Sequence, residues 1–472
     1  MRATFYAFEA AKSGLTAAQA GLDVTANNIA NQSTPGYSRQ FVEQSATHHN
    51  ADRYRIAQSS LLSYSMGVDI KGIGQARDQF LDLRYRSANA ENARLTRTLS
   101  ILTDMENNLD ETQTDGLSVM LKDLYAQLQT LSQNAGKVEF SSLARSSAQK
   151  VTQSINHYAA QLANIRDQEM DSIDIAVKEV NTLLGKIDTV NHSIQAAKLQ
   201  SNSTNELSDT RNLYLDQLAS YMDITVTNHE DGTLSIQAGG QFLLNAPLNT
   251  VAAVTVAGGP DSVRLEADGN TMDLQGGSLS GSIQVLNGMG SYAGAGESTF
   301  RGIPYYLNSL DSLAGSLAGT FNAINGGPLF SGSTASTIAV SSQWLANPNY
   351  IRATADADQE AGKNDNILRF IEAMDDSRAI SPYFNGNFEE FTLSLMTDIA
   401  IDVSYTRDIS ETSELVVASI SNQREAVMGV SVNEETVNLM KYQRAFEASS
   451  RVITALDEAL DILINRMGLV GR

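Results

Sequence analysis

Cysteine is absent from all 472 residues, which excludes disulfides, thiolate nucleophiles and cysteine-based metal sites together. Histidine is scarce: His48, His49, His157, His192 and His229 are the only five. Apart from the first two they lie far apart, and His229-Glu230 lacks the second histidine of a metalloprotease helix. His48-His49 falls in a polar stretch and reads as a pair of solvated side chains. Basic residues are in deficit, 33 against 54 acidic, and the net charge of −21 argues against nucleic acid or an anionic membrane as a partner. No apolar run reaches the length of a membrane span, and the N-terminal stretch lacks the apolar core of a secretory signal. Asp365 and Asp375-Asp376 lack the spacing of a calcium loop, Gly36, Gly72, Gly74 and Gly288-Met289-Gly290 are turn glycines, and no nucleophile elbow occurs. The expectation is therefore no catalytic residue, no metal site and no cofactor. Only seven prolines occur, none between Pro35 and Pro247, so nothing in that interval forbids a long helix.

What the chain does have is heptad periodicity, clearest at its two ends. Val432, Leu439, Phe446, Ile453, Leu460 and Met467 recur every seven residues; Tyr442, Leu456, Leu463 and Val470 fill a second position, interrupted at Glu435 and Ser449. This is a coiled-coil seam, and the remaining positions (Lys441, Gln443, Arg444, Glu447, Asp457) suggest no second apolar face. At the opposite end, Phe8, Leu15, Leu22 and Ile29 recur every seven residues, with Ala11, Ala18 and Thr25 three further on. Such small residues bury little area, so both ends are expected to be loose in the free chain and to fold on packing together or against neighbouring subunits. Contacts between chains are the preferred reading, pairing within one chain the competitor. The seam residues Phe8, Leu15, Leu22, Ile29, Leu439, Phe446, Ile453 and Leu460 form the expected assembly interface.

After the first helix, asparagines 27, 28 and 31 read as capping residues, able to take the left-handed conformation at a helix end. Thr34-Pro35-Gly36-Tyr37 fits a type II turn, with proline second and glycine third. The run Ala26-Asn27-Asn28-Ile29-Ala30-Asn31, followed by Thr34-Pro35-Gly36-Tyr37-Ser38-Arg39-Gln40, resembles the N-terminal signature of the bacterial flagellar rod, hook and hook-associated protein family. Asn433-Glu434-Glu435, Asn438-Leu439 and Tyr442-Gln443-Arg444-Ala445-Phe446 are similar to the tail of its hook-associated members. The motif residues carried over are Asn27, Asn28, Asn31, Pro35, Gly36 and Tyr37. The resemblance implies a structural role at the hook–filament junction, type III export without a Sec signal, and self-assembly into a ring. It also implies three partners: the hook protein, the next hook-associated protein, and an export chaperone bound to the C-terminal helix. Another axial protein of the hook, rod or flagellin kind is the first alternative; an enzyme displayed on a coiled-coil scaffold is the second.

Between the ends, residues 38 to 75 are polar with a short strand at 67–73, and Gln79 opens about 140 strongly helical residues. A seam through Val151, Ile155, Tyr158, Leu162 and Ile165 slips by one residue across Gln168–Ser172, then resumes at Ile173, Val177, Val180, Leu184, Ile187 and Ile194. If 140–200 is one helix, the slip unwinds it locally rather than breaking it. A shorter helix is expected to be capped by Ser208 or Asp209. Glycine-punctuated strands start at Ile224 and suggest a β domain over 223–298. Helical seams return from Ile303, ending at Gly326-Gly327-Pro328; Phe388–Met428 reads as a polar helix with a sparse seam of Ile409, Val416, Ile420 and Val427. The expected architecture is mainly α with an inserted β domain: a terminal coiled coil (1–36 with 430–472), a long-helix bundle core (37–222 with 299–429) and a small antiparallel β domain (223–298).

Overall fold

The computed structural model describes residues 2–47, 67–109, 116–200, 202–260, 262–294, 299–355 and 363–462. The histidine pair at 48–49 and the seam positions 463, 467 and 470 lie outside these residues. The fold is mainly α. Helices α1 (Arg2–Ala30), α2 (Gln79–Asn108), α3 (Leu117–Gln133), α4 (Val138–Leu199), α5 (Asn205–Tyr221), α6 (Ser278–Asn287), α7 (Ile303–Asn325), α8 (Ser342–Ala346), α9 (Asp365–Asp375), α10 (Phe388–Met428) and α11 (Val432–Asp461) carry most of the chain. The strands are β1 (Gln40–Ala46), β2 (Val68–Gln75), β3 (Thr225–Asn228), β4 (Leu234–Ala238), β5 (Gln241–Asn245), β6 (Thr250–Val251), β7 (Val254–Ala257), β8 (Arg264–Ala267), β9 (Asn270–Met272), β10 (Phe330–Ser331), β11 (Ala339–Val340), β12 (Arg378–Ser381) and β13 (Phe384–Gly386).

One helix of 62 residues, α4, is the spine. It runs unbroken through the seam slip, where Glu169 is buried and takes both oxygens to Arg97 at 2.9 Å, with Ser282 donating at 3.2 Å. The slip is thus the place where a carboxylate enters an otherwise apolar seam. Burial pushes the Glu169 carboxyl above its ordinary value, against the lowering effect of Arg97 and Ser282.

Asparagines of α4 dock the β elements. Asn181 donates to Val254 O at 2.8 Å and accepts from Val254 N at 2.9 Å. Asn191 does the same with Leu234, at 2.9 and 3.3 Å. A side-chain amide carries the same donor and acceptor as a peptide unit, so each asparagine extends a strand's hydrogen bonding onto the helix. The strands form a four-stranded antiparallel meander, β3-β4-β5-β6, and a three-stranded one, β7-β8-β9.

Strand structure ends at Met272, and the stretch read as the remainder of the β region contains α6 instead. Its glycines suggested turns; they serve close packing. A Cβ on Gly281 would come 2.5 Å from the Arg94 carbonyl of α2. The cap expected at Ser208 or Asp209 is also corrected: α5 starts at Asn205, and Asp209 lies inside it, buried. The polar helix 388–428 has the expected bounds, but its buried line is Phe391, Leu395, Ile399, Val403, Thr406 and Ser410, not the sparse seam. Of that seam only Ile420 is buried; Val416 and Val427 are exposed. The core is continuous from α2 through α4 to an aromatic cluster in which Phe321 meets Phe330 and Phe370, and Trp344 meets Phe330 edge-on. The helix before it ends at Gly326, which takes the left-handed conformation (φ 64°) as the Gly-Gly-Pro run required.

Candidate assembly site

Helices α1 and α11 pack against each other, and α1 does so through its smallest residues. A Cβ on Gly21 would lie 2.5 Å from the Tyr442 ring, and one on Gly14 would lie 3.2 Å from Ser449 Oγ. In the next layer, Asn28 Nδ2 donates to Glu435 Oε2 at 3.1 Å. These layers fall seven residues apart on each helix and run in opposite senses, so the pair is antiparallel with a heptad repeat. The two interruptions of the C-terminal seam, Glu435 and Ser449, are therefore contact residues. One meets an asparagine and the other a glycine.

The large seam residues sit beside this line. Phe8, Leu15, Leu22 and Ile29 follow Gly14, Gly21 and Asn28 by one residue or stand on their repeat, and all four are half-buried, as are Leu439, Phe446, Ile453 and Leu460. The deeply buried residues of α1 are Ala11, Ala17, Ala18, Val24, Thr25 and Asn28. Small side chains let the two helices approach closely, so the helix that looked too thin to pack does pack closely. The two heptads meet within one chain, the arrangement that the sequence reading ranked second. Val437, Met440 and Val452 stand 59%, 52% and 47% exposed, so α11 also has apolar residues outside its seam, contrary to expectation.

A polar joint ties this pair to the body. Asn28 makes the full set of bonds of a primary amide: Oδ1 accepts from Tyr37 OH (2.8 Å) and Gln40 N (3.0 Å), while Nδ2 donates to Gln40 O (2.9 Å) as well as to Glu435. Arg39 Nε donates to the other Glu435 oxygen at 2.7 Å, and the Arg39 backbone N–H reaches Met428 O at 2.9 Å. Asn27 and Asn31 have a local role: Asn31 Nδ2 donates to Asn27 O and Oδ1, and Thr34 Oγ1 donates to Asn31 Oδ1. None of the three asparagines takes the left-handed conformation, so that expectation is corrected; side-chain bonding ends the helix. The turn is as read, with Gly36 at φ 79° and Tyr37 N donating to Thr34 O at 3.1 Å. Gly36 abuts Leu213 of α5. Burial, then the charges of Asp209, Glu206 and Glu435, push the Tyr37 hydroxyl up to about 12, which keeps it a neutral donor.

The next residue of the motif enters a buried chain of alternating charges. Ser38 donates to Asp209 through N (3.0 Å) and Oγ (2.8 Å). From there the ion pairs run Asp209–Arg77 (3.2 Å), Arg77–Asp82 (2.6 Å), Asp82–Arg424 (2.9 Å), Arg424–Asp216 (2.7 Å) and Asp216–Arg86 (2.7 Å). Arg424 also lies 4.2 Å over the Tyr85 ring. Three cations and three anions from α2, α5, α10 and the strap before α2 thus balance in a site from which water is largely excluded. Burial raises the Asp209 carboxyl, although the Ser38 hydrogen bonds and Arg77 oppose the shift. Sequence reasoning missed this chain; its one readable signal was the seven-residue spacing of Asp209 and Asp216, which places both on one face of α5. Among the described residues no cluster of acidic and histidine side chains could hold a metal ion, and no helix is long and apolar enough to cross a membrane.

Residues 102–327 match the model of the flagellar hook-associated protein FlgK helical domain. Residues 422–467 match the C-terminal region of the flagellar basal body rod FlgEFG proteins, and 8–37 match the flagella basal body rod protein model. The chain is 27% identical over 517 residues to flagellar hook-associated protein 1 of Bacillus subtilis (strain 168), with 100% of each chain aligned. The chain is thus similar to flagellar hook-associated protein 1 from end to end. The relative of that name in Escherichia coli (strain K12) is 24% identical over 555 residues, covering 96% of this chain and 98% of its own. The solved structure of the flagellar hook junction protein FlgK from Burkholderia pseudomallei overlays on 53% of this chain and 46% of its own, at 21% identity and a TM-score of 0.46. By these matches the chain is a structural flagellar component, not an enzyme. The two rod-type matches cover most of the antiparallel pair and, in its joint, Asn28, Tyr37 and Glu435.

Proposed function

We propose that the chain acts as the adaptor of the hook–filament junction, and that its terminal helix pair is the element that assembles. The observation that supports this most is the half-open state of the pair. Phe8, Leu15, Leu22, Ile29, Leu439, Phe446, Ile453 and Leu460 remain half-buried on a pair whose closest contacts are made by small and polar residues. Packing of these stripes against neighbouring copies in a ring completes their burial, each half-buried side chain gaining part of the roughly 1.5–3 kcal/mol that full removal from water contributes. The functional units are a terminal unit (1–36 with 430–472), a core (37–222 with 299–429) and a β unit within 223–298 whose last helix, α6, packs on the core. Hook protein contacts one face of the ring and the next hook-associated protein the other. In the cytoplasm the α11 stripe is held by an export chaperone, and the chain leaves through the flagellar type III route to an extracellular position.

Deletion of the gene tests the adaptor role. Cells are expected to make hooks of normal length that carry no filament and to shed flagellin into the medium; full-length filaments on such cells would refute it. A chaperone pull-down with Leu439, Phe446 and Ile453 all changed to Ser tests the stripe, and undiminished capture would remove it from chaperone binding.

A further inference from the structure

A cavity of about 440 Å³ opens between the start of α2, helix α5 and the β3–β4 hairpin. Its walls carry Arg77, Arg86 and Arg211 against one carboxylate, Asp82, although the chain as a whole is strongly acidic. Arg77 is fully committed to Asp82, Ser38 and Asp209. Arg86 gives Nε to Asp216 and Nη2 to Asn212, and its Nη1 has no acceptor among the described residues.

Arg211 is the odd cation. It is 9% exposed, and its Nη1 donates to two uncharged groups, Asn191 Oδ1 at 2.9 Å and Gly232 O at 2.7 Å. Its Nε is buried without an acceptor, and its Nη2 has none among the described residues. The neighbouring ion chain balances three cations with three anions and leaves Arg211 outside it. Burial and then the charge of Arg86 lower the Arg211 guanidinium to about 10. An uncompensated buried charge is costly, and the planar fork of a guanidinium matches the oxygens of a carboxylate or phosphate.

We propose that this cavity is an oxyanion-binding site, in which the free guanidinium donors of Arg86 and Arg211 share one bound carboxylate or phosphate group. Asn228 and Ser208, also on its wall, supply neutral donors. Leu83 lines the cavity while 56% exposed, an apolar footing for the stem of an acidic side chain. Two sources offer this chemistry: a free inorganic oxyanion, or a glutamate or aspartate from an adjoining subunit. The residues that would bind the anion, Arg86 and Arg211, belong to α2 and α5 and not to the terminal pair.

The full chain is titrated calorimetrically with sodium phosphate and, separately, with glutarate, at ionic strength held constant with chloride, and melted in parallel. Saturable binding of at least one probe is expected, weakened about tenfold or more in Arg211→Gln, since a charge-assisted hydrogen bond is lost. Asn228→Asp, which tethers a carboxylate at the wall, is expected to melt higher than the wild type in chloride and to lose the probe response. Binding of phosphate alone identifies the inorganic source, and binding of glutarate alone the side-chain source. No saturable binding of either probe to the wild type overturns the site, as does a response that survives unchanged in Asn228→Asp and in whichever Arg211 variant folds.

Discussion

Asn28 on α1 and Glu435 on α11 meet side chain to side chain at 3.1 Å, although 407 residues separate them in the chain. Both are almost fully buried, at 1% exposure each. Glu435 also accepts from Arg39, so one carboxylate joins the first helix, the last helix and the strap between α1 and β1.

Asn28→Ala removes four hydrogen bonds and leaves a buried carboxylate with one partner fewer. A cost of about 2–4 kcal/mol is expected, because stranded buried groups forfeit their full desolvation. Hydrogen exchange is expected to accelerate across 432–461 while α4 keeps its protection. Unchanged exchange in α11 would show that the joint does not hold the pair.

Gly21→Ala separates two opposing effects. Helix propensity alone favours alanine by roughly 1 kcal/mol, whereas a methyl 2.5 Å from the Tyr442 ring must displace it. Overpacking of this kind costs about 1–3 kcal/mol, so a net loss of stability is expected in α1. Combining it with Tyr442→Leu is expected to recover most of that loss, and a double-mutant cycle measures the coupling. Additive effects would mean that the two residues do not touch.

Glu169 gives a pH signature. Its folded-state carboxyl lies above the ordinary 4.5 because burial disfavours the charged form. Between that ordinary value and the raised one the folded chain binds the proton more tightly, so stability is highest below 4.5 and falls as pH climbs through the interval. Melting of the wild type minus that of Glu169→Gln, followed from pH 4 upward, is expected to decline across this window. A flat difference would show that Arg97 and Ser282 fully offset the burial.

Phe446→Asp places a carboxylate in the half-buried stripe of α11. The central helices are expected to fold as before and the chain to be exported, but subunits are expected in the culture medium rather than at the hook, since an unpaired charge buried in a contact costs several kcal/mol. Immunoblots of medium and of purified hooks report the split, and normal hook occupancy would exclude Phe446 from the contact.

Sequence alone made some of this fold legible and hid the rest, for physical reasons. Helix α4 could be followed through its slip because no proline falls within it, and the end of α10 was visible because the Gly429-Val430-Ser431 linker is a local signal. Helix α6 was hidden because Gly281 looks like a turn residue until its close approach to Arg94 of α2 is known. The first helix's small residues suggested weak packing because area was counted without its partner; Tyr442 and Ser449 turn each missing side chain into a fit. Glu435 looked like a fault in a heptad. Only its partners Asn28 and Arg39, near the other end of the chain, make it a hub.

Helix α4 is gripped far apart along its length. Near one end, Arg145 donates to the carbonyls of Trp344 and Leu345; near the other, Gln195 donates to Asp231 in the β3–β4 turn. At 1.5 Å per residue these grips stand about 75 Å apart, with one uninterrupted hydrogen-bonded rod between them. A push on the aromatic cluster therefore arrives at the β hairpin without passing through any loop, and the protein behaves along this axis as a strut rather than a spring.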